Sequence, residues 1–148
     1  MKKKPIIDTY DPVIYPAKLW VTCDKEELSK IFTFCYVGNP TEPIKEHYDP
    51  AENNTGVLAT IPVIHKSTMC YCVLVVILKY EELIAGDEAH EAVHVADYIY
   101  DRCGMYSQKM NENEQYAYLV GWAAGCISKT ILNRKKNDTR RESDDVEA

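Results

Sequence analysis

The chain has six cysteines but no C-x-x-C pair and none of the paired spacing of a zinc ribbon. Cys23, Cys35, Cys70, Cys72, Cys103 and Cys126 are scattered. A basic surplus is also lacking. With 17 Lys and Arg against 23 Asp and Glu the formal charge is -6, whereas a duplex-binding surface needs a concentrated cationic face, so nucleic acid is not an expected partner. No apolar run is long enough to span a bilayer, because the most hydrophobic segment, residues 116–132, is short and punctuated by Gly121 and Gly125. A membrane is therefore not expected either. Met1-Lys2-Lys3-Lys4 has the charge of an export signal, but Pro5, Asp8, Asp11, Pro12 and Pro16 interrupt the apolar stretch that should follow. The cysteines are read as reduced, mostly buried residues of a cytoplasmic protein.

What is present is enough for one domain. The 148 residues are 46% hydrophobic, sufficient for a single core and too few for two. Residues 1–16 hold three prolines and read as an extended N-terminal arm. Residues 17–132 form the domain, and 133–148, with little apolar content and charges of both signs, read as a disordered tail. Within the domain, Lys18 to Thr22 reads as a short strand. Asp24 as N-cap with Glu27 three residues on, followed by Leu28, Ile31, Phe32 and Cys35 at helical spacing, predicts an amphipathic helix across a sheet. Residues 38–56 read as a long loop carrying His47. Residues 57–64 and 71–78 are two β-branched runs around a polar turn, which predicts an antiparallel hairpin. Pro62 has no N–H to donate to a ladder, so the first of these strands is expected at a sheet edge.

The chemistry concentrates in His90-Glu91-Ala92-Val93-His94, inside a predicted helix over residues 84–103. Histidines four apart on a helix lie one turn above each other, so both imidazoles reach one ion. With the intervening glutamate they complete HExxH, in which the histidines hold zinc and the glutamate takes a proton from a water on the metal. Ala89, Val93, Ala96 and Tyr100 form the stripe expected to face the core, with His90, His94, Asp97 and Asp101 on an adjacent polar stripe. Asp97 lies seven residues past His90, about 10 Å of helix rise, too far for both to touch one ion. It is read as a group beside His94 or as a solvated acid. A second helix follows a polar connection, and its small residues Ala117, Gly121, Ala124 and Ser128 predict a close approach of the two helices.

Glu114 opens that second helix twenty residues past His94. In this arrangement residues 84–129 resemble the zincin metallopeptidases, specifically the glutamate-liganded branch. The resemblance implies His90, His94 and Glu114 as zinc ligands, Glu91 as general base, and a sheet-edge strand beside the metal that lays out an extended peptide. Glu112 is the alternative third ligand, about 200° round the helix from Glu114. The metzincin pattern is absent, because Asp97 stands in its glycine position and Tyr100 in its last histidine position. The thermolysin-like pattern departs too, with Tyr118 where an aspartate follows the ligand glutamate. Tyr116 and Tyr118 flank the site as candidate oxyanion donors. The short chain is also similar to small zincin-like proteins encoded by bacteriophages and mobile elements, which implies a bacterial host cytoplasm or a virion.

The expected architecture is therefore α+β and zincin-like, a small mostly antiparallel sheet packed by an N-terminal helix and followed by two antiparallel active-site helices. The expected function is a zinc-dependent metallopeptidase-like hydrolase acting on a peptide or protein substrate. The alternative is a catalytically inactive binding or assembly module on the same fold, with the oligomeric state left open.

Overall fold

The two β-branched runs build the centre of the sheet. The computed structural model describes residues 3–107 and 109–147, so the first two residues of the arm, Gln108 of the connection and the last residue of the tail lie outside the described residues. In chain order the strands are β1 (Asp8–Tyr10), β2 (Leu19–Thr22), β3 (Phe32–Tyr36), β4 (Asn39–Pro43), β5 (Leu58–His65) and β6 (Tyr71–Ile77). The helices are α1 (Pro50–Asn53), α2 (Asp87–Arg102) and α3 (Glu114–Glu147). The strands form one sheet in the order β1-β2-β6-β5-β3-β4, with β2 parallel to β6 and the other neighbours antiparallel.

β6 is apolar throughout because both of its faces are covered. Successive side chains of a strand point to opposite sides. Val73, Val75 and Ile77 accordingly join Leu19, Val21, Ala92, Val95, Ile99, Leu119 and Ile127 in a core beneath α2 and α3. Cys72, Leu74 and Val76 point the other way, into a second core with Phe32, Phe34, Ile61 and Val63. Among the described residues neither α2 nor α3 contributes a side chain to that second core. Leu28, Ile31, Ile44 and Tyr48, brought in by turns and loops, close it instead.

This arrangement corrects the expected fold in several places. The sheet is six-stranded and mixed, and among the described residues no N-terminal helix packs on it. Where Asp24 was expected to cap a helix, its carboxylate accepts the Ile6 N–H at 2.8 Å and pairs with Arg134 at 3.2 Å. Glu27 then takes a left-handed φ of 63°, and only a 3₁₀ turn, Leu28–Lys30, precedes β3. Leu28, Ile31 and Phe32 reach the second core from a turn and a strand instead of one helix face. Residues 38–56 also contain structure, namely β4 and α1. The latter starts on Pro50 with the Asp49 carboxylate accepting the N–H groups of Ala51 and Glu52 at 2.8 and 3.2 Å.

β5 lies inside the sheet, between β6 and β3, not at an edge. How a central strand accommodates Pro62 follows from the ladder. Val73, which sits opposite Pro62, gives its N–H to Lys18 O on the β2 side, so the Pro62–Val73 pair exchanges no hydrogen bond. The proline nitrogen is thereby turned toward β3, where the pairing ends at Phe34 and Val63. The proline terminates one ladder without breaking the other.

α3 is far longer than the apolar segment suggested. It runs on through residues 133–147, the stretch read as a disordered tail, with Arg134 bonded to Asp24 and, at 3.1 Å, to Asp138. All six cysteines are free, and no described helix is long and apolar enough to cross a membrane.

Candidate metal centre

α2 begins where Gly86 adopts φ 99°, a conformation that suits a residue without Cβ, and the Asp87 carboxylate accepts the Ile84 N–H at 2.9 Å. Its buried residues are Ala92, Val95, Ala96, Ile99 and Tyr100. Ala89 and Val93, expected in that stripe, are exposed, Val93 by 40%. The helix is thus rolled by roughly 60° from the expected setting. The roll matters for the histidines. Instead of lying about 110° from the core stripe, beside it, they lie about 170° away, on the solvent side.

There the two imidazoles meet. His90 Nε2 and His94 Nε2 are 3.3 Å apart, with ring centroids 5.0 Å apart and planes at 72°. An ion with tetrahedral geometry and metal–nitrogen distances of about 2.0–2.1 Å holds its ligand nitrogens about 3.3–3.4 Å apart. The pair therefore matches one edge of such a tetrahedron. The same separation also serves an N–H···N hydrogen bond, one ring donating and the other accepting.

Glu91 is placed differently from its neighbours. Its side chain is 12% exposed, against 71% for His90, and its Oε1 lies 3.9 Å from His90 Nε2. Thr60 Oγ1 on β5 donates to Glu91 Oε2 at 2.5 Å, tying the carboxylate to the sheet. Sequence reasoning missed Thr60. The one hydroxyl residue of β5, paired with Val75, was the available signal.

The third expected ligand is not brought to the pair. Tyr116 donates to Asp97 Oδ1 at 2.6 Å, approaches Val93 O at 3.4 Å and packs against Tyr100 with ring centroids 5.1 Å apart, so the side of α3 that carries Tyr116 is the side that meets α2. Glu114, two residues earlier, is about 200° round the helix from Tyr116 and is exposed. One end of the helix contact is thus Tyr116 with Asp97, and the other is Ser128, which donates to Glu88 Oε1 at 3.5 Å. Residues 117–127 lie between and include no histidine and no carboxylate. Glu112 sits in a 3₁₀ turn, Met110–Glu112, and is exposed. Among the described residues no group of three His, Cys, Asp or Glu side chains is arranged to hold a metal ion. Of the small residues of α3, Ser128 reaches α2 and Ala124 packs on the shared core, whereas Gly121 is no point of close approach, since a Cβ added there would meet nothing within 4 Å.

The remaining candidates find other places. Asp97 is occupied by Tyr116, and burial, followed by that carboxylate, raises the Tyr116 phenol so that it remains a donor. Tyr118 is 76% exposed on α3. His47 pairs with Glu52 at 3.4 Å in the α1 region. A zinc site of two histidines and a glutamate thus fits in its two histidine places and not in its third. Compared with protein-family models, curated proteins and solved structures, the chain matches none.

Proposed function

We propose that this chain is a zinc-binding interaction module, with His90 and His94 as the protein's donors and at least one further donor supplied from outside the chain. One observation carries this reading: two exposed imidazole nitrogens stand at tetrahedral-edge separation, and among the described residues no third His, Cys, Asp or Glu side chain is arranged with them to hold a metal ion. Zinc completes four positions, and a two-donor clip leaves half of them to an incoming group. On this reading the module works in a cytoplasmic compartment, where six unpaired thiols persist.

A second reading, a zinc-dependent metallopeptidase-like hydrolase acting on a peptide or protein substrate, is favoured by Glu91. A carboxylate fixed by Thr60 and held 3.9 Å from His90 Nε2 is placed to accept a proton beside the pair. Zinc would supply Lewis acidity there. The two readings part in one experiment: zinc content of the purified chain, then hydrolysis of unfolded casein by the parent and by Glu91→Gln. The module reading expects bound zinc and no difference between the two proteins. Zinc-dependent cleavage lost in Glu91→Gln would establish the hydrolase and overturn the module.

A further inference from the structure

The donor missing from the metal centre must come from somewhere, and the direction in which the pair projects limits the sources. His90 and His94 point away from the sheet, and neither α3 nor the strands offer a described donor beside them. The nearest carboxylate of the same chain, Glu91, stands 3.9 Å from His90 Nε2 and is held by Thr60, and any other group of the chain would have to arch over the solvent side of α2. A second molecule meets no such obstacle.

We infer that the completing partner is a second copy of this chain, the two copies sharing one zinc ion through His90 and His94 of each. This rests on the proposed metal-binding reading and deepens it by naming the partner. Two pairs, each spanning one edge of a tetrahedron, supply the two opposite edges, four nitrogens in all. A two-fold axis through the ion generates the second pair from the first, the commonest symmetry among soluble oligomers. The surface around the pair permits the approach. His90 is 71% exposed, and Asp97 and Asp101 on the same face are exposed too, so two α2 helices can approach there without displacing a buried side chain.

Charge makes the association conditional on metal. Asp97 and Asp101 are exposed on the histidine side of α2, and the whole chain carries -6. Without a cation two such surfaces repel, and a dication between them offsets part of that repulsion. The copies are therefore separate in chelator and joined in zinc.

The test measures mass and metal together on the full chain, by sedimentation or light scattering with zinc titrated in, followed by metal analysis of the separated species. Zinc should roughly double the mass at about half an ion per chain, and chelator should reverse it. His90→Ala and His94→Ala should each abolish the doubling; both positions are exposed, so the folded monomer persists. His47→Ala, an exposed histidine of a different region, should leave the doubling intact. One zinc ion per monomer with no change of mass would overturn the shared site and leave the metal-binding reading standing. No zinc uptake would overturn both. A dimer that persists in chelator, or in the double His90→Ala, His94→Ala variant, would also overturn the shared site.

Discussion

α2 meets the sheet through Ala92, Val95, Ala96 and Ile99, all fully buried, whereas its opposite side shows His90, His94, Asp97 and Asp101 to solvent. The first side is specified by shape. Its residues are apolar, small or branched, and each is exchangeable only at the cost of a cavity or a clash. The second side is specified by donor geometry, and its residues contribute little to holding the molecule together. Glu91 and Tyr98 stand between, one tied to Thr60 and the other packed against the core beneath the helices. A helix can thus carry an adhesive side and a chemical side whose requirements do not interfere.

The contrast can be attacked most strongly from within. Ile99→Ala should destabilise the fold by about 2–5 kcal/mol, read from a denaturant midpoint, because an Ile side chain leaves a fully buried site. A smaller effect is expected at the flank. Burial pushes the Tyr98 phenol from 10.0 up to about 12, so the unfolded chain gives up this proton before the folded one does. The contribution is intact below pH 10 and declines as pH rises toward 12. Tyr98→Phe should flatten that part of the stability profile, and an unchanged alkaline limb would remove Tyr98 from the account. Smallest of all, His94→Ala in chelator should change stability by no more than about 0.5 kcal/mol. A loss as large as that of Ile99→Ala would show that the solvent side is structural after all.

The same division explains what could be read in the chain. The β5–β6 hairpin, the short β2 and the extent of α2 were legible because each is signalled by its own local residues. The helix expected after Asp24 was not, because the capping carboxylate is claimed by Ile6 and Arg134, the latter 110 residues away. Leu28, Ile31, Phe32 and Cys35 fit a helical spacing, yet Phe32 and Phe34 also fit a strand, and pairing with β5 decides for the strand. The charged composition of residues 133–147 signalled disorder, while an ion pair to Asp24 anchors the start of that stretch of helix. At the site, the spacing of His90 and His94 made legible that their imidazoles meet on one side of α2. The place of Glu114 was not, since it depends on the roll of α2 and on which side of α3 meets it, and the Tyr116–Asp97 contact sets both.

The parallel pairing of β2 with β6 has a consequence for how the molecule assembles. Leu19 meets Val73 and Thr22 meets Val76, so the strand made early has no neighbour on that side until some fifty further residues have followed it. β1 pairs with β2 locally, yet its contact with α3 is more distant still, because Tyr10 and Asp8 close on Thr130. β2 keeps one side open until the hairpin forms, and α3 closes over β1 afterwards.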